Sequence, residues 1–175
     1  MKPIKDYDNV KASGEYERLA PGGYVCKILE ATDEPQKEYL RIVYDIAEGH
    51  EAGRYKDEPA ENVYRHSFIR SYKEKALGMF KSFTNALEAS NDGYKWDFDE
   101  NKLAGKLIGI VFGYEQYEAN DGTVKERLRV ASTKSAEAIR KGDFRTPALK
   151  LLKDGNAAIQ PTVPEGFVSD DDYPF

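Results

Sequence analysis

Apolar and polar residues alternate strictly over two early stretches of the chain. In 22–31 (GGYVCKILEA), Tyr24, Cys26 and Ile28 fall on one face and Val25, Lys27 and Leu29 on the other, which predicts a first strand. A polar loop with Pro35 follows. In 39–49 (YLRIVYDIAEG), Leu40, Ile42, Tyr44 and Ile46 alternate inward against Tyr39, Arg41, Val43 and Asp45, a second strand. After a long polar connection, 63–70 (VYRHSFIR) reads as a third strand, with nothing in the pattern to say which face is inward.

The period then changes from two to about 3.6. Leu77, Phe80, Phe83, Thr84 and Leu87 share a helical stripe. Ser71 with Glu74 predicts a capping box, and Asn91 and Gly93 end the helix. Alternation returns within 103–117, where Ile108, Ile110, Phe112 and Tyr114 form one face. Gly109 and Gly113 on the other face predict a sharply bent strand. Asp121-Gly122 predicts a hairpin turn into a fifth strand over 124–132. There Val124, Leu128 and Val130 face in, while Lys125, Arg127 and Arg129 face out. A short helix over 135–142, capped by Ser135, closes the periodic part.

The order is β-β-β-α-β-β. With glycine-bent strands it predicts a mainly β chain folded as a five-stranded OB barrel, its helix between strands 3 and 4. Another small α+β sandwich fits the same order. Residues 1–20 lack period and read as an arm, 21–142 as the barrel, and 143–175 as an extension ending in a tail.

Charge sharpens the division. The formal net charge is -5. Asp154, Glu165, Asp170, Asp171 and Asp172 stand in 154–175 with no lysine or arginine, so the body before them is neutral. An acidic tail on a neutral body marks an interaction segment. A single cysteine, Cys26, predicts a small buried strand residue in a reducing compartment. The first residues carry no apolar signal region and no run spans a bilayer, so the expectation is a cytoplasmic protein.

Two histidines and one cysteine at no metal-ligand spacing, with neither a Walker loop nor GxGxxG, predict no enzyme, no metal site and no cofactor. Binding chemistry is better represented. Tyr39 and Arg41 lie on the outward face of strand two, and Lys125, Arg127 and Arg129 make a basic stripe on strand five. Tyr114 and Tyr117 approach the hairpin. If strand three turns its even positions outward, it adds Tyr64, His66, Phe68 and Arg70, with Lys73 just beyond. Rings that stack on bases and cations that track phosphates are what sequence-tolerant binding of single strands requires. The plainer reading is a core for the aromatics, and a solvated face paired with Glu115 and Glu118 for the stripe.

The chain stops on Asp170, Asp171, Asp172, Tyr173, Pro174 and Phe175. This ending resembles the acidic tip of bacterial single-stranded DNA-binding proteins, with Tyr173 in place of an aliphatic residue. The body resembles phage-encoded single-stranded DNA-binding proteins with a divergent OB domain, over about two thirds of the chain, in the stretches GGYVCKILEA, YLRIVYDIAEG, SFTNALEASNDGYKW and LAGKLIGIVFGYEQY. The resemblance implies a barrel that coats single-stranded DNA, as homo-oligomer or monomer, in host bacterial cytoplasm. It implies a tip that docks on replication, recombination and repair proteins. The glycine- and glutamine-rich linker of the bacterial family is absent. An alternative from another class is an interaction module whose tail captures a host replication factor without coating DNA.

Overall fold

The computed structural model describes residues 17–152 together with 2, 3, 5 and 7. Five strands form one antiparallel sheet: β1 (Gly22–Glu34), β2 (Tyr39–Ile46), β3 (Ser67–Ser71), β4 (Leu107–Glu118) and β5 (Val124–Lys134). Their spatial order is β3-β2-β1-β4-β5. Helix α1 (Leu77–Ser90) stands between β3 and β4, and α2 (Ala136–Arg140) follows β5. The mainly β architecture and the element order are those the periodicity predicts. A closed barrel is not found: among the described residues, β3 and β5 are unpaired edges.

β1 holds the sheet together because it is long enough to serve two partners. It pairs with β4 through Gly22–Lys27 and with β2 through Cys26–Glu34. A bulge at Leu29 resets the alternation, so Ala31 returns to the inner face opposite Ile42. All five strands send residues into one core, among them Cys26, Ile42, Phe68, Ile110 and Val130. Phe83 and Leu87 of α1 complete it. α1 touches both edge strands as well as β4, so the sheet curls around the helix.

The helix begins later than its sequence suggests. Ser71 is the last residue of β3, and its hydroxyl donates to the Glu38 carbonyl and accepts from Lys73 N–H at 3.2 Å. The expected capping box with Glu74 is therefore not made. A 3-10 turn over Glu74–Ala76 leads into α1, and Leu77 stays 49% exposed. The far end follows the prediction. Asn91 Nδ2 donates to the carbonyls of Leu87 and Leu107, and its Oδ1 accepts from Leu107 N–H, tying the helix end to the start of β4.

The back of the sheet is also covered. Val25, Val111, Ala136 and Ile139 form a second core where α2 lies on β1 and β4. The Ser135 hydroxyl caps α2 by accepting from Ala138 N–H at 3.1 Å. This contact corrects the reason for the β4 glycines. A Cβ on Gly109 would sit 2.5 Å from Ile139 Cγ1 and 2.7 Å from the Lys134 carbonyl, and one on Gly113 would sit 2.6 Å from Pro147. These positions are small so that other segments can lie on the strand. The strand irregularity falls between them, at Val111/Phe112.

Candidate nucleic-acid interface

Beyond the pairing of Gly22, the first residue of β1, with Phe112, β4 continues with β5 as a two-stranded arm. The Asp121-Gly122 turn closes it: Gly122 has φ +80°, and Asp121 accepts from the Thr123 amide and hydroxyl. Register places Lys125 opposite Tyr117, Arg127 opposite Glu115 and Arg129 opposite Gly113 on one face. Leu128 and Val130 occupy the other face.

The residues after α2 return along this arm. Lys150 N–H donates to the Tyr114 carbonyl at 2.9 Å, and Gln116 N–H to the Lys150 carbonyl at 2.8 Å, in parallel fashion. Two cations thus share one carboxylate. Arg127 Nε lies 2.9 Å from Glu115 Oε1, and Lys150 Nζ lies 3.9 Å from Oε2. The Arg127 guanidinium also lies 4.9 Å from the Tyr117 ring centroid. Arg129 Nε is buried with no hydrogen-bond partner among the described residues. Lys125 is exposed at the tip. The sequence alone offered Glu115 as a competing partner for the stripe, and it does pair with Arg127. Lys125, Arg127, Arg129 and Lys150 thus lie along one face beside a ring. Such a face can hold phosphates and stack one base.

Other expected members lie elsewhere. Strand three turns its even positions inward, the reverse of what a platform needs. Phe68 sits opposite Ile42 and is a core residue. His66 falls outside the strand, in the 3-10 turn Ala60–His66. It is buried, with Nδ1 2.7 Å from the Tyr44 carbonyl and its ring stacked on Tyr55 at 5.0 Å. Arg70 is 1% exposed, 4.8 Å over the Phe68 ring and 3.2 Å from the Ile69 carbonyl. Burial pulls its guanidinium down to about 10. The physical reason is α1, whose apolar stripe draws Phe68 against Phe83 at 6.2 Å and carries the even face of β3 inward.

Tyr64 remains half exposed in the same turn, with Arg65 5.9 Å from its ring. Tyr39 is buried. Arg41 is partly exposed and lies 3.7 Å from Glu34. Its partner across the ladder is Thr32, at the far end of β1 from the β4–β5 arm. Lys73 is exposed beyond β3. The structure therefore brings together Tyr117, Lys125, Arg127 and Arg129, and leaves Tyr39, Arg41, Tyr64 and Lys73 apart from them.

Tyr114 does not offer a free face. Its hydroxyl donates to the Leu19 carbonyl at 2.7 Å, and Arg18, bound to Glu126 at 2.6 Å, lies 3.4 Å over its ring. Residues 17–20 thus belong to the folded body rather than to an arm.

Sequence reasoning missed Lys150, which reaches the site only because the chain doubles back. It also missed Phe98, 83% exposed, whose signal was a ring between two aspartates in YKWDFDE. The tip residues Asp170, Asp171, Asp172, Tyr173, Pro174 and Phe175 lie outside the described residues. Among the described residues no three ligands group as a metal site, and no helix is long and apolar enough to cross a membrane. Neither the protein-family models nor the curated proteins include a match to this chain.

Proposed function

We propose that this chain is a sequence-tolerant single-stranded DNA-binding protein of the kind phages encode. In this reading the curled sheet is a divergent OB domain. The β4–β5 arm holds the DNA backbone, and the acidic tip recruits replication, recombination and repair proteins. The reading rests most on one observation: Lys125, Arg127, Arg129 and Lys150 converge beside Tyr117 on a single face. The strand order and the helix between β3 and β4 support the OB assignment. The terminal aspartates and Phe175 suit an apolar pocket rimmed by basic residues.

The test is a titration of oligo-dT across salt concentrations, with the full chain and with a chain lacking 170–175. Both are expected to bind, with affinity falling by roughly 0.7 log unit per neutralised phosphate per decade of salt. The shortened chain is expected to bind at least as well, because it has lost acidic groups that compete with DNA. Absence of binding at low salt overturns the reading. The burial of His66, Phe68 and Arg70 favours a second one, an interaction module that works through its tail without coating DNA. Tip-dependent capture of replication proteins, with no affinity for oligo-dT, would establish it.

A further inference from the structure

A carboxylate of the chain itself stands in the middle of the β4–β5 face. Glu115 lies directly opposite Arg127 in the ladder, on the side of β4 that carries Tyr117. Both of its oxygens are used. Oε1 accepts from Arg127 Nε at 2.9 Å, and Oε2 lies 3.9 Å from Lys150 Nζ. The two cations arrive from different segments. Arg127 is on β5, while Lys150 is brought to β4 by main-chain bonds to Tyr114 and Gln116, the residues on either side of Glu115. Glu118, the other carboxylate near the stripe in sequence, stands opposite Val124 on the reverse side of the arm and is exposed.

A carboxylate and a phosphodiester ask the same thing of a guanidinium, charge-assisted hydrogen bonds to two oxygens. The Arg127 Nε–H that is given to Glu115 cannot be given to a phosphate at the same time. The pairing is sheltered enough to count. The side chains of Glu115 and Arg127 are 14% and 19% exposed, so water and salt screen them less than they would a fully exposed pair. The backbone geometry does not depend on the carboxylate, because the bonds that hold residue 150 on β4 are made by the main chain.

We infer, on the reading of this face as a DNA site, that Glu115 limits its affinity by standing in for a phosphate on Arg127 and Lys150 while DNA is absent. Binding then exchanges one anion for another. A phosphate oxygen takes the place of the carboxylate, which turns to water, and the carboxylate returns to its cations as the strand leaves. What the strand gains at these two cations is the difference between two similar pairings, so it stays exchangeable. The same cations without Glu115 would hold it more tightly and release it more slowly.

Titration of the full chain with labelled oligo-dT across salt concentrations tests this, using Glu115→Gln and, as the control, Glu118→Gln. Glutamine keeps the shape of the side chain, so Glu115→Gln is expected to melt with the original chain. It is expected to bind roughly tenfold more tightly at low salt. Its log affinity is expected to fall more steeply with log salt, by about 0.7, as one more phosphate is neutralised. Release of the bound strand into excess unlabelled oligo-dT is expected to slow in proportion. Glu118→Gln is expected to stay within about twofold of the original chain. In an Arg127→Ala background the gain from Glu115→Gln is expected to shrink, since one of the two cations at issue is gone. An original chain that binds while Glu115→Gln binds no more tightly overturns the proposal and leaves the DNA reading standing. An equal gain from Glu118→Gln also overturns it, by assigning the effect to net charge. If neither the original chain nor Glu115→Gln binds at low salt, the DNA reading fails and this proposal with it.

Discussion

The two edge strands carry similar residues and do opposite things with them. β3 and the turn before it present Tyr64, His66, Phe68 and Arg70 at alternate positions. β5 presents Lys125, Arg127 and Arg129 in the same way. The first set goes mostly inside and the second stays at the surface. Alternation shows that residues share a face, but it does not say what that face meets. β3 lies beside α1, and its Phe68 and Arg70 are taken into the core. On β5 the inward face is supplied by Leu128 and Val130, so the cations are left on the other side, over small or polar partners on β4. A ring and a guanidinium on one strand are thus no sign of a binding face until the neighbouring helix is placed.

Substitutions can break that contrast. The largest effect is expected from Phe68→Ala, a loss of about 3–5 kcal/mol in urea denaturation, as for other buried phenylalanines. A loss under about 1 kcal/mol together with weaker oligo-dT binding would return β3 to the surface. Next comes Gly109→Ala, expected to cost about 1–3 kcal/mol because its methyl group meets Ile139 and the Lys134 carbonyl. Unchanged stability there would mean that α2 does not rest on β4. The smallest change in stability is expected from Arg127→Ala combined with Arg129→Ala, within about 1 kcal/mol, since Arg127 is held by a partly exposed ion pair. The same pair is expected to lower the slope of log affinity against log salt by about 1.4. An unchanged slope would remove β5 from the interface.

Much of the fold was legible in the sequence because it depends on local chemistry. Asp121-Gly122 turns the chain by its own hydrogen bonds, Ser135 caps its own helix, and Asn91 ends α1. Errors arose where a local motif met a stronger distant partner. Ser71 and Glu74 have the spacing of a capping box, but Ser71 is claimed by the β2–β3 ladder opposite Tyr39. The placing of Gly109 and Gly113 in the strand suggests bends, yet the groups that need their space come from α2 and Pro147, well beyond them in sequence. In the site, the β5 stripe could be read directly because a two-residue period survives in a hairpin. Lys150 could not, since it arrives from sixteen residues past the end of β5.

The sequence by itself determined the element order, the alternating faces of β1, β2, β4 and β5, the hairpin turn, the neutral body and the concentration of negative charge at the end. Each follows from the conformational and solvation preferences of neighbouring residues or from simple charge addition. The tertiary structure alone decided which face of β3 is inside, that Arg70 is buried, that Lys150 joins Arg127 at Glu115, and that Phe98 stands in water at the opposite end of β4 from an open cleft. Those outcomes depend on contacts between residues far apart in the chain. There, burial of the α1 stripe and the close approach of α2 outweigh any local preference.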